Sequence, residues 1–166
     1  MQKQIRRRTE GFTIIEVLIV LAIAGLILLI VFLAVPALQR NSRNTNRKND
    51  VAALSGAVVE YEQNNNGNMP DTAAPGVTTP EILISKAGVN AVVAKVGFYS
   101  AANISVKPGS VASNLAAVTS DTTVRLVTGA KCGTGGAAVG GAARGVAALY
   151  AVETGGGTPT SICQEG

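Results

Sequence analysis

Gly11-Phe12-Thr13-Ile14-Ile15-Glu16-Val17-Leu18-Ile19-Val20 opens an apolar run that continues to Val35 and contains a single charged residue, Glu16. A basic head, Lys3-Gln4-Ile5-Arg6-Arg7-Arg8, stands directly before it. An acid at the centre of a membrane helix costs roughly 2.5–3.5 kcal/mol on insertion scales, so Glu16 needs a partner or a route to water. The run holds no cation, which places the expected partner on another chain. As a helix, Phe12–Val35 would extend ~36 Å, enough to cross a hydrocarbon core of about 30 Å. Ala22-Ile23-Ala24 fits a small-x-small cleavage pattern of a secretory signal. Such signals stop after about 7 to 15 apolar residues, whereas this run continues well past that point.

These residues resemble the type IV pilins and their pseudopilin relatives. In that family a basic leader ends in glycine, the next residue is Phe, and a Glu stands fifth after the glycine at the head of an unbroken hydrophobic helix; here these are Gly11, Phe12 and Glu16. The resemblance implies cleavage between Gly11 and Phe12 by a prepilin peptidase and N-methylation of Phe12. It further implies pairing of the Phe12 amine of one subunit with the Glu16 carboxylate of its neighbour during assembly. Fibres of the family often show a helix break between a glycine at the position of Gly25 and a downstream proline. In this chain the usual proline position is Leu33 and the proline is Pro36, three residues later.

The expected organisation is a cleaved leader over 1–11, a hydrophobic transmembrane and filament-core helix over 12–35, a polar then amphipathic helix over 36–66, and a globular head over 67–166. Pro36 interrupts the helical pattern, and Gln39–Asp50 reads as polar on every face. Val51, Leu54, Val58 and Tyr61 then recur at helical spacing and mark a face that packs on a small domain. Asn64-Asn65-Asn66-Gly67 should end the helix, with Gly67 as a left-handed cap and Pro70 just beyond. An aromatic near the helix end followed by an Asn-Gly turn and a proline also resembles the family.

Residues 71–122 are rich in Ala, Thr, Ser, Gly and Pro. Within them Thr79-Pro80-Glu81 reads as the start of a short helix ending at Gly88, and the rest as loop or weak strand. Thr123–Thr128 and Val146–Val152 read as strands. Cys132 and Cys163 either stay as buried free thiols or form a disulfide, which requires an oxidising compartment. The resemblance implies the bridge, as a carboxyl-terminal disulfide loop that ties the tail 160–165 back to the sheet. The fold class is therefore α+β: a long N-terminal helix, hydrophobic in its first half and amphipathic in its second, packed on a small antiparallel β-sheet domain.

The formal charge of +4 looks like a nucleic-acid signal until it is divided along the chain. Lys3, Arg6, Arg7 and Arg8 against Glu10 put +3 of it in the leader, and residues 49–166 carry six basic and eight acidic groups. Nucleic acid is thus unsupported as a partner by charge. Arg40, Arg43, Arg47 and Lys48 form a basic collar after the apolar run, suited to anionic lipid headgroups before assembly or to acidic groups of neighbouring subunits after it. Four basic residues also precede the run, so the positive-inside rule does not orient it.

With no histidine, the common Ser-His and Cys-His nucleophile pairs are excluded, and two cysteines alone make a poor metal site. Gly133-Thr134-Gly135-Gly136-Ala137-Ala138 satisfies a loose dinucleotide fingerprint, but the remaining chain is too short and too glycine-rich for the strand–helix–strand unit that motif serves. Asn103-Ile104-Ser105 fits a glycosylation sequon. No enzyme activity, cofactor or metal is expected. The function implied is a structural subunit of a type IV pilus serving adhesion, twitching motility or DNA uptake. Its implied partners are copies of itself in a helical filament, the prepilin peptidase, an assembly ATPase with its inner-membrane platform, and membrane lipid. The implied localisation is a single pass of the cytoplasmic membrane with a cytoplasmic N-terminus, then the extracellular pilus. The alternatives are a pseudopilin or minor pilin of a secretion or competence system, and a membrane-tethered soluble domain.

Overall fold

The computed structural model describes residues 11–75, 81–86 and 89–166. Helix α1 spans Ile14–Asn64, and the chain divides into two compact units, Met1–Gln39 and Arg40–Gly166. The basic leader lies outside the described residues.

In the first unit, the helix exposes every side chain from Ile14 to Leu33, including Leu18, Leu21, Ile27, Leu29 and Phe32. Its most apolar 18-residue window has a mean hydropathy of 3.4, and none of that window is buried. A helix apolar all round and uncovered is suited to lipid or to other such helices. The helix starts at Ile14 rather than Phe12 because Thr13 serves as its cap. It also runs through Pro36. The ring removes one backbone bond there, to the carbonyl a turn earlier, and the bonds on either side carry the helix across.

The second unit contains the rest of α1 and, among the described residues, nine strands. β1 (Thr72–Pro75), β2 (Glu81–Lys86) and β3 (Val89–Lys95) form an antiparallel sheet in that order. The second sheet has the order β4 (Ile104–Pro108), β5 (Val124–Thr128), β8 (Val146–Val152), β9 (Thr160–Glu165). Its β4–β5 pair is parallel and the others antiparallel, so the sheet is mixed where an antiparallel one was expected. β6 (Ala130–Cys132) and β7 (Ala138–Gly140) make a separate hairpin, and α2 (Ala112–Leu115) is a single turn.

One expected element changes type. The short helix expected from Thr79 to Gly88 is strand β2 over Glu81–Lys86; Thr79, Pro80 and Gly88 lie outside the described residues. Ile82 and Ile84 are buried on one face of β2 between less buried neighbours, so a period of two prevails over a proline-based helix start. The tail lies back on the sheet as the resemblance implied, as strand β9 hydrogen-bonded along β8. The two strands read at 123–128 and 146–152 appear as β5 and β8, and the helix ends at Asn64 as expected. Beyond it Gly67 adopts φ +81 and its amide bonds the carbonyl of Glu62 at 2.9 Å, closing the last turn.

The core lies between the helix face Val51, Leu54, Val58, Tyr61 and one side of the sheets, through Ile84, Val106, Leu126, Ala148 and Tyr150. The opposite side of β5 and β8, Val127, Ala147 and Leu149, is covered by Val118, Ala130 and Ala138. β8 is therefore buried on both faces, which is why it reads as a continuous apolar run. The bridge Cys132–Cys163, with 5.6 Å between Cα atoms, joins the β6–β7 hairpin to edge strand β9. Cys132 N–H also donates to Glu165 at 2.8 Å, and Ser161 Oγ to the Gly136 carbonyl at 3.0 Å. The glycine motif at 133–138 is the tip of this hairpin.

Replacing both cysteines by serine should lower the stability of the head by roughly 3 to 4 kcal/mol, because the chain between them regains its freedom in the unfolded state. Denaturant unfolding of oxidised full-length protein beside the double variant measures this; equal midpoints would contradict it.

Candidate functional site

At the amino-terminal end of α1 the sequence Thr13-Ile14-Ile15-Glu16 forms a reciprocal cap. Glu16 N–H donates to Thr13 Oγ1 at 3.3 Å, while the Glu16 carboxylate accepts from Thr13 N–H at 2.9 Å and from Thr13 Oγ1–H at 2.8 Å. This Thr-x-x-Glu geometry satisfies amide donors that a helix start otherwise leaves open, and it puts a negative charge at the positive end of the helix dipole. Glu16 thus has a partner within its own chain, which reading the run for cations alone missed. Phe12, Glu16, Val17, Val20 and Leu21 line a shallow groove of about 280 Å³ beside it. Gly25 has open space where a side chain would project, and Pro36 lies inside the helix.

The basic collar does not survive as a ring of four equivalent cations. Arg47 is 1% exposed: Nη1 donates to Asn44 Oδ1 at 2.7 Å, and Nη2 to Asp121 at 2.8 Å and Glu153 at 2.7 Å. Its guanidinium carbon lies 4.5 Å from the centre of the Phe98 ring. Arg43 makes a two-pronged pair with Glu153, through Nε at 2.7 Å and Nη2. Only Arg40 and Lys48 remain without such pairs among the described residues, Arg40 partly exposed and Lys48 exposed. The correction has a plain cause. Long cations one helical turn apart share a face, and here that face meets two carboxylates from the sheet end.

Two more helix residues belong to this face. The Asn44 side chain pairs with the backbone of Glu153, accepting from its N–H and donating to its C=O, both at 2.9 Å. Asp50, 6% exposed, accepts from the amides of Gly97 (2.9 and 3.0 Å), Phe98 (2.6 Å) and Tyr99 (3.1 Å). Three amide donors on one carboxylate make its burial tolerable. Sequence reading missed Asn44, Asp50, Asp121 and Glu153. The available signal was spacing: Arg40, Arg43/Asn44, Arg47 and Asp50 continue backwards the stripe of Val51, Leu54, Val58 and Tyr61.

Electrostatically Glu153 is the centre of the cluster. Hydrogen bonds from Arg43, then those from Arg47 and the charges of both guanidinium groups, hold its carboxyl down to about 2 against the opposing effect of burial. Burial pushes the Tyr99 hydroxyl up. Because the folded Glu153 value lies below the unfolded one, its contribution is complete above about pH 4.5 and fades as pH falls toward 2. Glu153→Gln should flatten that part of the acid limb. Glu153→Ala should cost about 3 kcal/mol at pH 7 by leaving buried Arg47 with Asp121 as its one carboxylate partner among the described residues. Thermal unfolding between pH 2 and 7 reads both, and an unchanged acid limb in Glu153→Gln would contradict the assignment.

Residues 6–32 match the prokaryotic N-terminal methylation motif. No curated protein and no solved structure matches the chain. The matched segment contains Gly11, Phe12, the Thr13–Glu16 cap and most of the exposed apolar helix. Leader motif, capped acid and uncovered helix thus fall in one stretch, and residues 6–32 carry the methylation motif of the class III signal peptide of type IV pilins.

Proposed function

We propose that this chain is a structural subunit of a type IV pilus. A prepilin peptidase cuts between Gly11 and Phe12 and methylates the Phe12 amine. The processed subunit waits in the cytoplasmic membrane with that amine on the cytoplasmic side, and an assembly ATPase with its platform feeds it into a filament of identical subunits. The supporting observation is the methylation motif over residues 6–32, joined to a helix whose apolar surface has no cover in the subunit. Moving that surface from lipid into a bundle of like helices keeps it away from water throughout. The fibre then serves surface attachment, twitching motility or DNA uptake.

In this reading the Thr13 cap holds Glu16 while the subunit is in the membrane, and the Phe12 amine of a neighbour takes over during assembly. The amine adds a charge–charge attraction to what was a set of hydrogen bonds to a neutral partner. Intact mass of the surface form should show a chain beginning at methylated Phe12; an intact Met1, or a cut after Ala24, rejects the reading. Shearing cells should release the chain with long filaments. Recovery in traces points instead to a minor pilin or pseudopilin, and full retention in membranes to a tethered domain.

Glu16→Ala should still insert and be processed, yet filament yield should fall about tenfold or more, the scale of a close charge pair in an interface. Normal yield in that variant contradicts the exchange. In the fibre, the helix should also open between Gly25 and Pro36. Gly weakens a helix by about 1 kcal/mol and interior Pro by ~3 kcal/mol relative to Ala. In lipid, the cost of bare backbone groups keeps the segment closed. Opening lengthens it from ~1.5 Å toward roughly 3.3 Å per residue, letting a fibre yield under load. A filament structure with continuous helical bonds from Gly25 through Leu38, interrupted only at the proline, would refute this.

A further inference from the structure

We infer that the cleft between Arg40 and the glycine loop 154–159 binds a phosphate group. The cleft measures about 420 Å³ and is lined by Arg40, Asp121, Glu153, Thr154, Gly155 and Gly157, with Pro159 at its end. Two carboxylates in its wall argue against an anion until their partners are counted. Glu153 accepts bonds from Arg43 and Arg47, and Asp121 accepts from Arg47. Three guanidinium groups therefore face two carboxylates, and the one without a protein partner among the described residues, Arg40, lines the cleft. A guanidinium with its donors open matches the oxygens of a phosphate and binds them two at a time.

The glycine loop, of which Gly155 and Gly157 line the cleft, offers neutral donors. Gly155-Gly156-Gly157 has no side chains to block approach, and a Cβ built on any of the three would meet nothing within 4 Å. Among the described residues the amides of Gly155 and Gly156 donate to no protein acceptor, the Gly157 amide closes the turn through Gly155 and Gly156, and Thr154 Oγ1 donates to the Thr158 carbonyl at 2.7 Å and holds the loop closed at its base. Gly157 adopts φ +85, a left-handed conformation of the kind that turns successive amides toward one anion. Arg40 together with the Gly155 amide would make a phosphate cradle of this cleft. Arg40 follows the apolar run by five residues, so the phosphate of an anionic lipid headgroup is the natural source for a membrane-held subunit. That choice of source rests on the function proposed above; recognition of phosphate itself does not.

The test uses the full chain in neutral detergent with isotope-labelled glycine, titrated separately with short-chain phosphatidylglycerol, short-chain phosphatidylcholine and inorganic phosphate. Phosphatidylglycerol should give saturable shifts at the amides of Gly155, Gly156 and Gly157. Arg40→Gln should weaken binding about tenfold, as expected for loss of a charge-assisted pair. Lys48→Gln should leave it nearly unchanged. Shifts from inorganic phosphate alone would keep the phosphate site and overturn the lipid source, whereas phosphatidylglycerol alone, or both, supports a headgroup. No saturable shift with either anion overturns the inference, and equal shifts with phosphatidylcholine overturn the anionic headgroup as its source. Equal losses in the two variants overturn it too, because they mean diffuse attraction. The mass of the processed chain is measured independently, so failure here leaves the pilin reading standing or falling on its own evidence.

Discussion

A guanidinium buried in a protein must meet its counter-charges there, and the docking of α1 in the head depends on Arg47 meeting them. A single unpaired charge in such a place would cost several kcal/mol, a large share of a small domain's stability. Arg47 sits among Asn44, Asp121, Glu153 and the Phe98 ring, which come from the helix itself, from the loop before β5, from the end of β8 and from the loop after β3. Each of these segments is thereby fixed in position on the helix. A leucine at 47 would pack as tightly and would select no orientation. The charged set accepts one rotation of the helix about its axis, because turning it by one residue separates Arg47 from both acids.

Asp50 applies the same logic one turn later. Its carboxylate gathers three consecutive amides, and the Phe98 and Tyr99 rings then meet edge to face with centroids 5.2 Å apart. From Val51 onward the same stripe is apolar and the ordinary hydrophobic contribution takes over, roughly 1.5–3 kcal/mol for each large side chain taken from water. A polar first part that sets position and an apolar second part that contributes most of the stability divide one helical face between them.

How much of this was legible depends on whether a residue's role is local. The leader motif, the apolar run, the Gly67 cap and the two apolar strands follow from patterns a few residues long, and they appear where the sequence placed them. The bridge Cys132–Cys163 was one of two open readings for the only cysteines, resolved by resemblance. Asp121 and Glu153 could not be found this way, since their partners lie 74 and 106 residues away from them at Arg47. Residues 39–50 looked polar on every face because polarity was read as exposure. Arg, Asn and Asp at helical spacing can equally mark a buried stripe whose partners are charged. The strand at 81–86 was missed for the opposite reason, a proline cue given more weight than the alternation of Ile82 and Ile84.

On the function proposed above, the cap at Glu16 lets one residue serve two environments without a change of chemistry. A bare carboxylate in an apolar run is costly, and the cost falls when amide and hydroxyl donors lie against it. Thr13 supplies one of each, and the helix start that they complete is where a negative charge is favoured in any case. The arrangement is tight enough to make the acid tolerable and, among the described residues, uses no cation. Had the chain carried its own lysine nearby, Glu16 would be neutralised permanently and would have nothing to offer a neighbour. A neutral local partner keeps its charge available, so any amine that reaches it in a dry surrounding gains a coulombic attraction that Thr13 cannot match.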